Sequence, residues 1–331
     1  MIISRTPFRI SLFGGGTDHP AWFHENGGSV VGMAINKYCY LTLRHLPPFF
    51  EYRSRIVYSQ IELVKEISEI RHPAVRGILE ELNVKDGLEI HHDADLPARS
   101  GLGSSSSFTV GLLNALYALD NKMVSKNQLA RQAIHIEQNV LKENVGCQDQ
   151  VWAAYGGFNR IDFLPDGNFT VTPIIVAPKL RGQLLQSMML FFTGFSRFGS
   201  DIEGDKLRNM SSRKSQLQAM QKMVDSSVDI LVDERKPVAE LGKLLHESWQ
   251  FKRELSDRVS TKQIDEIYDA GRSAGAIGGK LLGAGGGGFM LFLVEPEKRE
   301  QVRQRLKDLI HVAIDFDDDG SKVVLYQPNG L

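Results

Sequence analysis

The segment LPARSGLGSSSS, residues 96–107, has glycines and serines in a spacing that suits phosphate binding. It follows an alternating segment at 88–96 and precedes an apolar, helix-like run to Leu119. Gly101 and Gly103 allow the backbone to turn tightly and to approach a ligand. The serines fall on the first turn of the predicted helix, where free N–H groups and the helix dipole favour an anion. The alternative is a serine-capped helix after an ordinary loop.

A second glycine cluster spans Gly283–Gly288 and contains a formal G-x-G-x-x-G pattern. A dinucleotide-binding fingerprint follows a strand and opens a helix. Here a predicted helix at 262–274 precedes the cluster and a predicted strand, FMLFLVEP, follows it. The order disfavours a nicotinamide-dependent oxidoreductase and favours a loop packed closely against another backbone or a ligand. The sequence has no G-x-x-x-x-G-K-[ST] pattern, which excludes a P-loop.

The third cluster, Gly14-Gly15-Gly16-Thr17-Asp18, comes at the end of a predicted strand over residues 1–13. Glycines followed by an acidic residue at a strand exit can place a carboxylate in a cleft, where it would suit the hydroxyl groups of a sugar. Asp18 as a turn residue or helix cap is an equally good interpretation of this segment alone.

The elements that must position these loops mix strands and helices. Composition predicts two strands within 29–46, a strand at 55–63 and a helix over about 126–142 that Ser125 caps. The region around 177–187 is a candidate boundary, because a strand of a different pattern follows it. With 331 residues the chain has room for two domains, which we expect at 1–180 and 181–331.

Composition excludes several classes of protein. The net charge of −1, from 39 basic and 40 acidic residues, gives no general reason to expect a nucleic acid or an anionic membrane as partner. No stretch approaches the roughly 20 apolar residues of a membrane helix. Cys39 and Cys147 form no disulfide framework or metal cluster and are typical of a reducing, cytoplasmic location. The pair His91 and His92 has no diagnostic metal-ligand spacing.

Taken in this order, the three loops resemble the GHMP kinase superfamily. The first motif resembles residues 7–18, the second, P-x-x-x-G-L-G-S-S, matches residues 97–105 letter for letter, and the third resembles residues 280–288. The segments GGGTD, NGGSVVGMAINKY and VGCQDQVWAAYGGFNRI are most similar to the D-glycero-D-manno-heptose 7-phosphate kinases. Galactokinases carry an acid and a histidine where this chain has Gly15 and Gly16.

The resemblance implies an α+β fold of two domains, with an N-terminal domain similar to ribosomal protein S5 domain 2 and a ferredoxin-like C-terminal domain. It implies ATP and Mg²⁺ as cofactors and a small sugar phosphate as substrate. The residues implied to bind the nucleotide come from the second and third motifs: Pro97, Ser100, Gly101, Leu102, Gly103, Ser104, Ser105, Ser106, Gly285 and Gly286.

The resemblance also assigns the chemical roles. Asp149 matches the catalytic aspartate, and Arg9 matches the arginine beside the reacting hydroxyl, where it would stabilise the transferring group. Ser105 and Glu137 match the magnesium ligands. Considered alone, Asp149 could cap the following helix, Glu137 could be a solvated helix charge and Arg9 a surface strand residue.

The implied sugar site consists of Asp18 with Gly15, Gly16 and Thr17. Lys37 and Arg197 are the cations that could meet a 7-phosphate, although no motif fixes either. We expect phosphorylation of the anomeric hydroxyl of D-glycero-D-manno-heptose 7-phosphate. Another sugar kinase of the family, such as a fucokinase, and a non-catalytic sugar- and ATP-binding regulator are the alternatives. The oligomeric state is open and includes a homo-oligomer.

Overall fold

A computed structural model describes residues 1–195 and 199–328 of the chain. Its strands, in chain order, are β1 (Ile2–Phe13), β2 (Gly28–His45), β3 (Ser54–Val57), β4 (Ile61–Val64), β5 (Leu88–Ala94), β6 (Phe158–Phe163), β7 (Phe169–Pro173), β8 (Met188–Phe192), β9 (Ala276–Leu281), β10 (Phe289–Val294), β11 (Ile310–Val312) and β12 (Lys322–Tyr326).

The helices, in the same order, are α1 (Pro20–Asn26), α2 (Pro73–Glu81), α3 (Ser104–Leu119), α4 (Lys126–His135), α5 (Gln148–Tyr155), α6 (Pro178–Ser187), α7 (Gly199–Asn209), α8 (Lys214–Val232), α9 (Val238–Glu254), α10 (Lys262–Ser273) and α11 (Arg299–Arg305). Short 3₁₀ helices lie at Ile67–Glu69 and Pro296–Lys298, and a π-helical turn lies at Ile136–Val140.

The first sheet has the strand order β12-β1-β2-β5-β3-β4, and β6 pairs with both β2 and β7. Its pairs are antiparallel except for β3 with β5. Helix α3 packs on β1 and β2, so β1 is buried along most of its length, including Phe8, Ile10 and Leu12. Because β1 is held between β2, β12 and α3, the Gly14–Asp18 loop leaves the sheet from a rigid support.

The second sheet is antiparallel with the order β11-β8-β10-β9. Strand β10, FMLFLV, is buried throughout, as expected for a strand covered on both faces. Helix α9 packs on β9 and also meets α8. The last strand, β12, returns to the first sheet beside β1, and the domain division at 180/181 stays a prediction.

Several element predictions are wrong in detail. The two strands predicted within 29–46 are one strand, β2 (Gly28–His45), because it pairs in turn with β6, β1 and β5 along its length. Residues 55–63 hold a turn between β3 and β4. The α-helix predicted over 126–142 ends at His135 and continues as the π-helical turn. The helix near 262–274 does not lead directly into the glycine loop, because β9 lies between them.

Candidate active site

Arg9 and Asp149 form a bidentate ion pair at the centre of the site. The Nε–Oδ1 and Nη2–Oδ2 distances are both 2.6 Å. Arg9 also donates from Nη1 to the carbonyl oxygen of Gly101 at 2.7 Å, and its backbone N–H donates to the carbonyl oxygen of Leu102. Arg9 is therefore a buried residue of β1 that holds both the second glycine loop and the first turn of α5, where Asp149 lies.

The start of α3 faces this ion pair. Gly103 occupies the N-cap position with φ of 76°, in the left-handed region that favours glycine, and Gly101 has φ of 83°. A Cβ at Gly103 would lie 3.3 Å from both Arg9 and Asp149. Ser104 is half-buried and Ser105 is exposed, so the first turn of α3 is open to solvent at this end. A helix N-terminus in this position can hold an anion next to Asp149.

Glu137 lies in the π-helical turn and is fully buried. Its Oε2 atom accepts hydrogen bonds from Ser106 Oγ at 2.9 Å and from Gln150 Nε2 at 2.5 Å. Oε1 has no hydrogen bond of ordinary geometry among the described residues, and the Thr109 hydroxyl is a further donor close to the carboxylate. Burial, helped by the charge of Glu143, raises the pKa of Glu137 to about 8. The hydroxyl that reaches Glu137 belongs to Ser106, whereas Ser105, the serine predicted to bind the metal, is exposed.

The Oε1 atom of Glu137, near the second glycine loop, is a ligand that suits Mg²⁺, because this ion prefers oxygen ligands and keeps several waters. Within residues 1–195 and 199–328, no group of three or more His, Cys, Asp and Glu side chains is arranged to hold a metal. A magnesium ion at Glu137 would therefore depend on phosphate oxygens and water for most of its coordination.

Asp18 is buried next to the start of α5, which carries Asp149. Its carboxylate accepts hydrogen bonds from the backbone N–H groups of Gly16 at 3.0 Å and Gln148 at 3.2 Å. Burial raises the pKa of Asp18 to about 6, and the negative charges of Asp149 and, more weakly, Glu203 add to this effect, which the two backbone hydrogen bonds oppose. The shift reflects a buried carboxylate with no salt-bridge partner among the described residues, which makes Asp18 a candidate functional residue.

The rest of the first loop shapes the backbone around Asp18. Thr17 is fully buried, and its hydroxyl donates toward the carbonyl oxygens of Gly14 and Ser29. Gly16 has φ of 99°. Gly15 faces the buried side chains of Ser11 and Gln148. The hydrogen bonds of Thr17 stabilise the Gly14–Asp18 loop. Contact between Thr17 and a substrate stays a prediction.

The third loop joins β9 to β10 and packs against the second loop. A Cβ at Gly101 would lie 2.5 Å from the carbonyl oxygen of Leu282, and one at Gly283 would lie 2.4 Å from the Cα of Gly101. The Phe289 N–H donates to the carbonyl oxygen of Ser100 at 3.1 Å. The predicted close packing of the Gly283–Gly288 loop on another backbone is therefore observed, and its partner is the second loop.

The remaining residues predicted to bind nucleotide have different surroundings. Leu102 is buried and Pro97 is exposed. Gly285 and Gly286 approach the backbone of Val259, where the Gly286 N–H donates to the Val259 carbonyl oxygen at 3.0 Å. Whether a nucleotide reaches these glycines stays a prediction.

Of the two cations predicted for a sugar phosphate, Lys37 is the one that the structure describes, and it is not brought to Asp18. Lys37 lies in an irregularity of β2 opposite Pro7, where the pairing of β1 with β2 shifts register. This is on the far side of Arg9 from Asp18 along β1. Arg197 lies outside the described residues.

Sequence reasoning missed two buried lysines beside the loops, Lys252 and Lys280, and the contacts of Gln150 and Ser106 with Glu137. A signal existed for Lys280, because this lysine opens the third motif inside an apolar and glycine-rich segment, GGKLLGAG. Lys252 lies in an amphipathic helix, where a charged residue is normally exposed, so its sequence context did not indicate that it is buried.

Comparisons with known proteins identify the family to which the chain belongs. The family model for the GHMP kinases N terminal domain matches residues 63–157, and the model for the GHMP kinases C terminal region matches residues 231–311. A D-glycero-alpha-D-manno-heptose 7-phosphate kinase from Campylobacter jejuni is 29% identical over 316 residues, which cover 92% of this chain and 93% of that protein. A mevalonate kinase from Pyrococcus horikoshii is 30% identical over 71% of this chain and 67% of its own length.

Among solved structures, a D-glycero-D-manno-heptose 1-phosphate kinase from Bacteroides thetaiotaomicron superposes with a TM-score of 0.79 at 25% identity, over 97% of this chain and 98% of that one. The two-domain α+β architecture expected from the motifs is thereby confirmed. No helix in residues 1–195 and 199–328 has the length and apolar character needed to span a membrane.

Proposed function

Because this chain belongs to the GHMP kinase family, we propose that it is an ATP-dependent sugar kinase that phosphorylates the anomeric hydroxyl of D-glycero-D-manno-heptose 7-phosphate. The product would be the 1,7-bisphosphate. The observation that carries the proposal is the Arg9–Asp149 ion pair, which lies beside Gly103 at the start of α3 and whose carboxylate acts on the buried carboxylate of Asp18.

The nucleotide side of the site consists of the second loop and α3. The free N–H groups at the start of α3 would bind phosphate oxygens of ATP, and the left-handed glycines Gly101 and Gly103 allow the close approach. The third loop supports this cradle through its contact with Gly101. Pro97 and Ser104 would complete the nucleotide side of the site.

Ser105 and Glu137 are the residues that would hold Mg²⁺, with Ser106 and Gln150 orienting the Glu137 carboxylate. When bound, the metal would neutralise charge on the nucleotide phosphates. The unpartnered Oε1 of Glu137 supports this assignment, because a buried carboxylate oxygen without a hydrogen bond is costly unless a cation or proton satisfies it.

The acceptor side consists of Asp18 with Gly15, Gly16 and Thr17. Asp18 would accept hydrogen bonds from sugar hydroxyls and orient the ring. The attacking hydroxyl would lie against Asp149, which accepts its proton as the new O–P bond forms. The bond from the γ-phosphorus to its bridging oxygen breaks, and ADP leaves. Arg9 would hold Asp149 in place and stabilise the transferring group.

Support for a heptose phosphate as acceptor comes from the two heptose-phosphate kinases, one similar in sequence and one in structure. The 7-phosphate is a dianion and needs cations, for which Arg197 stays the proposed partner, whereas the position of Lys37 does not support such a role. A Cβ at Gly15 would come no closer than 3.8 Å to any described residue beyond its chain neighbours, so the glycine leaves space that a larger side chain would fill, whereas Gly16 packs against Leu217.

The test is a coupled assay of ADP release by the purified chain with Mg·ATP and a panel of acceptors. The panel holds D-glycero-D-manno-heptose 7-phosphate, L-fucose, D-galactose and mevalonate, and the Asp149→Asn variant supplies the background rate. We expect the highest kcat/KM with the heptose phosphate. Turnover of fucose alone would move the chain to another sugar-kinase branch. Binding of sugar and ATP without ADP release would identify a non-catalytic regulator.

A further inference from the structure

Two lysine side chains are buried between the second sheet and the active-site loops. Lys280 on β9 has 2% of its surface exposed and Lys252 on α9 has 6%. Lysine is almost never buried this completely unless it is paired. Among the described residues, the hydrogen bonds of both ammonium groups go to backbone carbonyl oxygens rather than to a carboxylate. Each amino group is therefore buried with no carboxylate hydrogen-bonded to it in the part of the chain that the structure describes.

The carbonyl groups that the lysines bind belong to the loops of the proposed site. Lys280 donates to the Leu12 carbonyl oxygen at 2.9 Å, which links β9 of the second sheet to β1 of the first. Leu12 is two residues before the loop that carries Asp18. Lys252 donates to the carbonyl oxygens of Leu281 at 2.8 Å and Gly283 at 2.6 Å. Gly283 is the residue whose backbone touches Gly101 of the nucleotide loop.

The surroundings of the two lysines are rich in positive charge. Arg9 faces them from β1, and Lys206 and Glu203 face them from α7. Burial first, and then the charges of Arg9 and Lys206, lower the pKa of Lys280 to about 7. Burial also lowers the pKa of Lys252 well below its usual value, with Lys280 as the first of the nearby charges. Of the nearby carboxylates, Asp149 is engaged by Arg9 and Glu203 by Lys206.

A buried charge without a counterion destabilises the folded protein, so its presence needs a reason. Phosphate groups bound at the start of α3 and on the acceptor would bring negative charge into this region. We propose that Lys252 and Lys280 are positioning residues for phosphoryl transfer, Lys252 for the nucleotide loop and Lys280 for the acceptor loop, with bound phosphates balancing their charge. This inference rests on the kinase function proposed above.

The kinetic test compares Lys252→Met, Lys280→Met and a control, Lys243→Met, an exposed lysine of the same helix as Lys252. Misplacing a bound group by about 1 Å can cost about 100-fold in rate, so we expect kcat to fall about tenfold or more in both variants. The KM for the acceptor should rise mainly in Lys280→Met and the KM for ATP mainly in Lys252→Met. Unchanged KM values in both variants, or the reverse pattern, would overturn the proposal.

The pH profile gives a second kinetic readout. The protonated share of Lys280 falls as the pH rises from 6 to 8, because its pKa lies near 7. The kcat/KM for the acceptor should therefore fall across this range in the wild-type chain and less steeply in Lys280→Met. Titration of the substrate affects both proteins equally, so only a difference between their pH profiles reports on Lys280. Profiles of the same slope in the wild-type chain and in Lys280→Met would count against the role of Lys280.

Thermal denaturation at pH 6 separates a positioning role from a purely structural one. Removing an uncompensated buried charge should leave Tm unchanged or higher in both variants. A non-hydrolysable ATP analogue should raise Tm less in Lys252→Met than in Lys243→Met. A lower Tm together with a normal analogue response would mean that the lysines only stabilise the fold. If the wild-type chain turned over no sugar, the proposed function would fail, while the analogue response would still test Lys252.

Discussion

Arg9 holds both carboxylate oxygens of Asp149, at 2.6 Å each, yet the two side chains differ in exposure. The Arg9 side chain is 7% exposed and the Asp149 side chain 26%. The carboxylate is thus the open side of the pair, and each of its oxygens keeps a lone pair for another donor. This arrangement suits a general base: Arg9 orients Asp149 from the buried side, and the exposed side of the carboxylate is accessible to a substrate.

Replacing Asp149 with asparagine should abolish most turnover without loss of nucleotide binding. The change keeps the shape of the side chain but removes the group that accepts the proton, for which a loss of about 100-fold or more in kcat is expected. Steady-state ADP release and calorimetric binding of an ATP analogue measure the two properties. Near-normal turnover would remove Asp149 from its proposed role.

Protonation of Asp18 should lower the activity at acidic pH. Its pKa is raised to about 6, so it becomes neutral and a poorer acceptor of hydrogen bonds as the pH falls below that value. We expect kcat/KM for the sugar to decline from pH 6 to pH 5 in the wild-type chain, on the acidic side of the fall above pH 6 that Lys280 is expected to cause. The Asp18→Asn variant should have a lower value that varies less over this range.

The same shift predicts an effect on stability. A carboxylate whose folded pKa is raised stabilises the fold at low pH, and this contribution is lost as the pH rises through about 6. Asp18→Asn should therefore raise Tm more at pH 8 than at pH 5. An equal change in Tm at both pH values would contradict the desolvated carboxylate.

Gly101 should not tolerate a side chain. It has φ of 83°, and its Cβ would lie 2.5 Å from the backbone oxygen of Leu282. Gly101→Ala should lower the free energy of unfolding by about 2 kcal/mol or more and raise the KM for ATP, because the second and third loops must separate. Chemical denaturation and initial-rate kinetics measure both effects.

Gly182→Ala is the matched control for this substitution. Gly182 lies within α6, and no atom lies within 4 Å of the position its Cβ would take. Alanine there should stabilise the protein by roughly 0.5–1 kcal/mol, since glycine is unfavourable inside a helix. Equal losses of stability in the two variants would argue against the close contact of the loops.

The two serines at the start of α3 should differ in their effect on magnesium. If Ser105 binds the metal directly, Ser105→Ala raises the Mg²⁺ concentration needed for half-maximal activity. Ser106→Ala should do so through Glu137, to which Ser106 donates a hydrogen bond. A normal Mg²⁺ requirement in Ser105→Ala with a raised one in Ser106→Ala would transfer the ligand role to Ser106.

Local sequence patterns predicted the parts of the site that depend on one segment. The Gly-Ser run predicted a helix that begins after Gly103 and continues to Leu119, and α3 spans Ser104–Leu119. Glycine spacing also predicted that the third loop packs against another backbone. Both features depend on the backbone conformation of a few consecutive residues, such as a left-handed φ at glycine or the first turn of a helix.

Contacts between distant segments could not be read from such patterns. Strand β9 contains two glycines, which have low strand propensity, and it is held in the sheet by its pairing with β10. Lys280 looks like a surface residue by type, and its burial depends on β1 approaching from 268 residues earlier in the chain. The contact between Ser106 and Glu137 likewise could not be predicted, because it depends on which serine of α3 faces the interior.

Phosphorus NMR of the reaction product tests the central claim most directly. After incubation of the chain with Mg·ATP and D-glycero-D-manno-heptose 7-phosphate, we predict a new phosphomonoester resonance coupled to the anomeric proton, equal in intensity to that of the retained 7-phosphate. ATP should be converted to ADP in the same amount. Unchanged spectra, or a new phosphate on a carbon other than the anomeric one, would contradict the account.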